Sequence, residues 1–372
     1  MTTTDDTSAG APAGDDGAAA DAFAERLFGA VLGAQLVQAV DLGDRLGWYA
    51  ALADGPATSA DLARRTGTAE RYAREWLEHQ AACGVLTVDD ESAPPPARRF
   101  ALPAAHAAVL ADRDSVAYMT PLARFVTGSG RFIDRIAEAY RTGAGLSWDD
   151  LGDEAREAQA AANRPLFLQR LGQELLPAAP AVHERLRRAA RVADVGCGFG
   201  WSSIGLARAY PGVAVDGYDV DAPSVTAARR NAADAGVGDR VRFRTTDVAA
   251  LADDDRGAYD AVFAFECVHD MPDPVAVLAA MRRMVAPDGV VVVMDERTED
   301  RFCAPAPEVE QLLYGYSLMC CLGDGLSHEP SVGTGTVMRA DTFTTYATDA
   351  GFTAVDVLPI EDDFFRFYLL HH

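Results

Sequence analysis

Residues 191–203 read RVADVGCGFGWSS. The stretch starts as an apolar, strand-like run, breaks into glycines at 196, 198 and 200, and continues as a helix. A strand ending in a glycine turn lets the backbone bend tightly and approach a ligand at its tip. The dinucleotide fingerprint needs one more glycine where this chain has Trp201, so the spacing that cradles a pyrophosphate is missing. A GxGxG turn suits a ligand with an adenosine and no pyrophosphate.

Downstream, short apolar runs alternate with helical stretches. The runs are VAVDGYD (213–219), VRFRTTD (241–247), DAVFAFE (260–266) and VVVVMDE (290–296). Between them lie APSVTAARRNAADAG and DPVAVLAAMRRMVA, with helical periodicity. Such alternation predicts an α/β fold, a parallel sheet covered on both faces. A helical stretch at 305–325 interrupts it, and a helix at 341–350 and the runs FTAVDVLPI and FFRFYLL complete it. Parallel sheets bind ligands at the carboxyl ends of their strands. Asp219 stands where an acid takes both ribose hydroxyls, and Asp247 where a carboxylate accepts from an adenine amino group. Glu266 and His269 end the fourth strand at the same edge.

Residues 21–54 carry helical apolar periodicity. A short helix follows, with Ser59 as its expected N-cap and Gly67 at its end, then a second helix from about 68 to 83. VLTVDD, a turn-rich stretch and FALPA complete a helix-turn-helix with a two-stranded wing. Its second helix, AERYAREWLEHQ, has three Glu against two Arg, and Trp76, Leu77 and Ala81 suit packing better than a DNA groove. Residues 115–185 read as helical, interrupted at GAGLSWDDLG (143–152).

The run DVGCGFG, then GYD, TTD and FECVHDMPDP, resembles the class I S-adenosylmethionine-dependent methyltransferases over roughly 190–370. With the winged helix, the GLSW segment and NRPLF (163–167), the whole chain resembles a mycobacterial and streptomycete group with an N-terminal winged-helix domain. Its members act, where known, on small molecules. The resemblance implies a Rossmann-like seven-stranded sheet with the last strand antiparallel, S-adenosylmethionine as cofactor and S-adenosylhomocysteine as product. Asp194 and Cys197 would belong to the cofactor loop, where Gly196 and Gly198 line the methionine part. Asp219 would bind the ribose, Val220 the adenine face, and Asp247 and Val248 the adenine edge. Glu266 would lie beside the sulfonium. His269, in the HDxxD context His269–Asp273, resembles the base of plant-type O-methyltransferases. Trp148, Tyr314, Met319 and His328 would bind the acceptor, with Tyr316 and Cys320 on the same helical stripe as Tyr314 and Met319. The winged helix would form a homodimer interface and part of the substrate roof.

Expected domains are a disordered tail (1–20), the winged helix (21–125), a helical cover (126–185) and the catalytic domain (186–372) with an insertion near 300–335. The formal net charge of -23 disfavours docking on phosphate backbones or anionic lipid. The chain has no Lys, which excludes a Schiff base. Six Cys without a CxxC pair or zinc-type spacing read as reduced thiols, and no metal is expected. The apolar stretch near Leu27–Val40 is interrupted by Gln35 and Gln38 and is too short to span a bilayer. The expectation is a cytoplasmic enzyme methylating a small aromatic or enolic acceptor. Two alternatives stand beside it: non-methylating chemistry on this scaffold, and a ligand-gated winged-helix transcriptional regulator. An NAD-dependent enzyme is disfavoured by Trp201.

Overall fold

The computed structural model describes residues 13–188, 190–251 and 255–372. The chain divides into two compact units at Ala107/Ala108. In the first unit, α1 (Ala13–Arg45), α2 (Trp48–Ala53), α3 (Ser59–Thr66) and α4 (Glu70–Ala82) precede β1 (Thr87–Val88) and β2 (Phe100–Ala101), which pair antiparallel as the wing. The cap of α3 is Thr58, one residue before the expected Ser59: its hydroxyl accepts from Asp61 N and the Asp61 carboxylate answers to Thr58 N, a reciprocal capping box. Gly67 ends α3 in the left-handed region, φ 68°, where a side chain is disfavoured. Trp48, Tyr49, Leu62, Trp76 and Leu77 are buried, so the apolar face of α4 packs inward. Of the tail expected over 1–20, residues 1–12 lie outside the described residues, and from Ala13 the chain is helical.

The second unit is built on a seven-stranded sheet. Its strands are β3 (Arg191–Val195), β4 (Ala214–Asp219), β5 (Val241–Thr245), β6 (Tyr259–Phe265), β7 (Val285–Glu296), β8 (Ala354–Val357) and β9 (Phe365–His371). Their spatial order is β5-β4-β3-β6-β7-β9-β8. β3 to β7 run parallel, and the last strand, β9, is antiparallel to both β7 and β8, as expected. Alternating residues feed two cores. Val192, Val215, Phe263, Val292 and Phe367 pack on one face; Ala193, Tyr218, Val262, Val293 and Tyr368 pack on the other. The order reverses at β3, which pairs with β4 on one side and β6 on the other, leaving a crevice at the carboxyl ends.

The unit boundary falls ahead of the expected 125. The helix Thr120–Gly130 belongs with the second unit because its Phe125 packs with Leu151 and Ala158 of the helix Trp148–Pro165. That second helix continues as a π-helical segment, Leu166–Leu175, packed on the helix Trp201–Ala209. The approach is close: a Cβ at Gly205 would lie 2.2 Å from Phe167 O, and one at Gly172 2.1 Å from Ala209 Cβ. The insertion holds the helix Glu308–Tyr316, a π-helical turn Ser317–Cys321 and a short helix Leu322–Gly325. Among the described residues, no helix is long and apolar enough to cross a membrane.

Candidate active site

At the tip of β3, Gly196, Gly198 and Gly200 all have positive φ, 72°, 49° and 78°. L side chains rarely adopt this region, and added Cβ atoms would also clash at two of the three: 2.6 Å from Cys267 Sγ at Gly196 and 2.5 Å from Phe243 at Gly200. At Gly198 nothing lies within 4 Å, so the backbone there faces open space. The backbone N–H groups of Gly196 and Cys197 donate to Tyr218 O, fastening the loop to β4. Asp194 lies beneath it, fully buried, and accepts from Ser202 Oγ at 2.6 Å and Ser203 Oγ at 2.5 Å. Burial pushes its carboxyl up to about 6.

The loop opens into a cavity of about 940 Å³. On one side, Asp219 ends β4. Its Oδ2 accepts from Gly198 N at 2.7 Å and its Oδ1 from Asp221 N at 2.9 Å. Each oxygen keeps a lone pair for a vicinal diol. Val220 is 69 % exposed yet lines the cavity, offering an apolar surface for a flat ring. Asp247 Oδ1 accepts from Ala249 N at 2.9 Å, and Val248 is buried beside it. This donor and acceptor set fits an adenosine: a diol partner at Asp219, an apolar shelf at Val220 and an acceptor at Asp247.

Arg156, on the helix Trp148–Pro165, holds this edge. Its Nε and Nη2 donate to the two oxygens of Asp221, each at 2.9 Å. The same helix delivers Gln159 and Asn163, one turn apart, to the two oxygens of Glu266: Gln159 Nε2 donates to Oε1 at 3.2 Å and Asn163 Nδ2 to Oε2. Glu266 follows β6 with φ 53°, the one non-glycine residue of positive φ among the described residues. Burial, chiefly, pushes its carboxyl up to about 7.

His269 lies three residues on, 2 % exposed. Its Nδ1 is 2.6 Å from Asp295 Oδ1 and 2.8 Å from Glu296 Oε2, and its Nε2 is 3.2 Å from Asp270 Oδ1. Asp295 and Glu296 come from the end of β7, adjacent in the sheet to β6. Burial alone would lower the imidazole pKa; Asp270, Glu296 and Asp295 outweigh it and hold His269 well above its ordinary value. In return, against its own burial, Asp295 is held down to about 2 by His269. Burial, by contrast, pushes Glu296 well above the ordinary carboxylate range, so His269, Asp295 and Glu296 titrate together as one buried cluster.

Of the residues expected at a site, Trp148, Gly196, Cys197, Gly198, Asp219, Val220, Asp247, Val248, Glu266, His269 and His328 all line this cavity. Three do not. Asp194 is sealed under the loop and braces the next helix. Tyr314 turns its hydroxyl to Arg339 Nη2, 3.3 Å away. Met319 packs against the cluster around Phe125 and Ile136. Tyr316, expected on the stripe with Tyr314, Met319 and Cys320, does line the cavity, whereas the π turn at 317–321 spaces contacts by five residues and brings Cys321 to it in place of Cys320. Phe199 and Trp201 line the cavity too, with the Arg164 guanidinium 5.0 Å over the Trp201 ring. Arg156, Gln159 and Asn163 were not anticipated; their spacing on one helix face was the only signal.

Residues 192–289 match the family described as "Methyltransferase domain", and residues 34–112 the "Rv2258c-like winged HTH domain". The ubiquinone biosynthesis O-methyltransferase of Paracidovorax citrulli is 38% identical over 101 residues, 27% of this chain and 41% of that protein. The chain thus matches about two fifths of the length of that curated relative. Among solved structures, the mitomycin 7-O-methyltransferase MmcR superposes with TM-score 0.71 at 24% identity, covering 95% of this chain and 99% of that one. PigF with S-adenosylhomocysteine superposes with TM-score 0.70 at 20% identity, covering 94% and 99%.

Proposed function

We propose that this chain, which carries a class I methyltransferase fold behind an N-terminal winged-helix domain, transfers a methyl group from S-adenosylmethionine to an oxygen of a small planar acceptor. The observation that carries the reading is the single cavity joining the Gly198–Asp219 edge to His269. S-adenosylmethionine, when bound, supplies a methyl group already activated for displacement. The chain then has to align the partners and keep water out. The Gly196–Gly200 loop and Asp219 hold the adenosine half. Glu266, fixed by Gln159 and Asn163, offers a carboxylate next to the loop for an ammonium group. Trp148, Tyr316 and His328 border the remaining space, where an aromatic or enolic acceptor of the secondary-metabolite kind fits. His269 accepts the acceptor's hydroxyl proton once it has shed its own, and the surrounding carboxylates stabilise the imidazolium that re-forms.

The winged helix serves assembly in this reading. Arg71 and Arg74 of α4 pair with Glu75 and Glu70 of the same helix, leaving little for a phosphate backbone. Phe23, Leu27, Phe28, Val31 and Leu32 of α1 are exposed, an apolar face that a second copy of the chain would cover. Six free cysteines suit a reducing, cytoplasmic compartment. The test is methyl transfer from labelled S-adenosylmethionine to a panel of phenolic and enolic acceptors. Label incorporated at an acceptor oxygen supports the reading; label on nitrogen or carbon only, or on nothing while S-adenosylhomocysteine binds, refutes it.

A further inference from the structure

The cavity wall around His269 brings together an imidazole, a carboxylate and a thiol that no spacing in the sequence connects. His269 and Asp270 follow β6, and Cys321 comes from the insertion as the last residue of the π turn Ser317–Cys321. The insertion is pressed onto the His269 segment: a Cβ at Gly325 would lie 3.3 Å from Asp270 O, and Val332 N donates to Pro272 O at 3.0 Å. One ligand-type atom from each of the three side chains lies within 4.8 Å of the other two. His269 Nε2 is 3.2 Å from Asp270 Oδ1. That oxygen is buried and has no hydrogen-bond partner among the described residues. Tetrahedral zinc, with bonds of about 2.1 Å to nitrogen and oxygen and about 2.3 Å to sulfur, sets its ligand atoms roughly 3.4 to 3.6 Å apart. The other ring nitrogen is already secured: Nδ1 lies 2.6 Å from Asp295 Oδ1, which also accepts from Glu296 N at 3.0 Å. A carboxylate on the far nitrogen is the usual support of a metal-ligating histidine, because it holds the proton there and turns the other lone pair outward.

We propose that His269 Nε2, Asp270 Oδ1 and Cys321 Sγ form a zinc site whose fourth position opens to the cavity, with Asp295 as the positioning residue behind the imidazole. A nitrogen, oxygen and sulfur set suits zinc, whereas magnesium and calcium take oxygen ligands. On binding, the Cys321 thiol gives its proton to water, and a Zn–S bond replaces the S–H bond. Thiolate and carboxylate together neutralise the charge of the ion, and the imidazole stays neutral. Without the ion, a thiolate beside the Asp270 carboxylate would face like charge, so the thiol ionises only with the metal. Zinc on Nε2 takes the lone pair that the proposed methyl transfer uses for the acceptor's proton, so the loaded chain is blocked in that reaction. This consequence rests on the methyl-transfer reading; the binding does not.

The probe is Co²⁺, which takes the same tetrahedral ligands and reports a thiolate among them by a charge-transfer band in the near ultraviolet. It is applied to the full chain under reducing conditions. The rival site is on the surface, where Cys83 Sγ lies 3.7 Å from His79 Nε2. The expected result is a band at equimolar Co²⁺ that equimolar Zn²⁺ abolishes. Cys83→Ala should keep the band and Cys321→Ser should lose it, in protein shown folded by circular dichroism. Asp295→Asn leaves the three ligands in place and should weaken Zn²⁺ binding by about tenfold or more. If Cys321→Ser does not fold, Cys83→Ala and Asp295→Asn decide. No band in the wild type, a band lost in Cys83→Ala or kept in Cys321→Ser, or an unchanged Zn²⁺ affinity in Asp295→Asn overturns the proposal. S-adenosylhomocysteine binding, measured separately, tests the methyl-transfer reading and is independent of the cobalt band.

Discussion

Arg156 grips Asp221 through two parallel hydrogen bonds, Nε to Oδ2 and Nη2 to Oδ1, each 2.9 Å long. Asp221 also caps the helix Ala222–Asp234 through Ser224 N, and its own N–H donates to Asp219. The pair thus ties the helix Trp148–Pro165 to the ribose edge of the site. Lysine has no planar fork, so Arg156→Lys should weaken S-adenosylhomocysteine binding on the order of tenfold. Arg156→Ala leaves a half-buried carboxylate unpaired and should cost about 1–3 kcal/mol. Calorimetry and urea unfolding check these; an unchanged affinity in both variants would remove Arg156 from the account.

Asp324 makes stability depend on pH. Its Oδ1 accepts from Trp148 N at 2.9 Å, at the start of the same helix. Burial first, then Asp270, pushes its carboxyl from 3.8 up to about 7. The folded pKa is the higher one, so the contribution is full below the unfolded value and is lost as pH rises through about 7. Asp324→Asn keeps the acceptor and removes the charge. It should raise Tm at about pH 8 by several degrees and leave it unchanged near pH 4. A scan at the two pH values decides, and equal shifts would contradict the assignment.

His269 carries the steepest pH dependence of activity. Its proton must leave before it can act as a base, and the carboxylates around it hold that proton. Turnover per substrate, kcat/KM, should therefore climb through neutral pH into the alkaline range. His269→Ala should lose on the order of 10²-fold in turnover with S-adenosylhomocysteine affinity retained; a loss below about threefold would exclude the base role. Stability follows the opposite course. The raised folded pKa means the His269 contribution is full below about 6.5 and fades as pH rises through the folded value.

Glycine substitutions separate packing from propensity. In an open helix, Gly→Ala gains up to about 1 kcal/mol. Gly315 meets nothing within 4 Å, so Gly315→Ala should be neutral or stabilising. Gly205 lies against Phe167 O, and Gly205→Ala should instead destabilise by about 1–3 kcal/mol as the segments are forced apart. Denaturant titration of both variants reads the contrast. Equal effects would mean the two segments are packed less tightly than described.

The strand-borne half of this site was legible in the sequence because β-strand geometry is local. A glycine run after an apolar strand, and acids at the ends of the next strands, project to one edge whatever the details of packing. Asp194 is not distinguished by the sequence, because a strand-end acid reads the same whether it faces a ligand or accepts from serine hydroxyls of the following helix. The helix-borne half was not legible. Arg156, Gln159 and Asn163 reach the site only because a kinked helix, with Gly152 at φ 77°, crosses the sheet edge. Of the stripe at 314–320, Tyr316 lines the cavity, and the π turn at 317–321 moves the following face from Cys320 to Cys321. The partners of His269 were hidden in MDE at the end of β7, where the neighbouring strand register, and not any spacing from His269, brings Asp295 and Glu296 to the ring.

The most direct test of the central claim is calorimetric titration of the chain with S-adenosylhomocysteine, beside NADH on the same sample. The account predicts binding at about micromolar Kd or tighter for the first, about -8 kcal/mol, and none for the second. A folded sample that binds NADH, or that ignores S-adenosylhomocysteine, would contradict the reading that the loop at Gly196 holds an adenosine without a pyrophosphate.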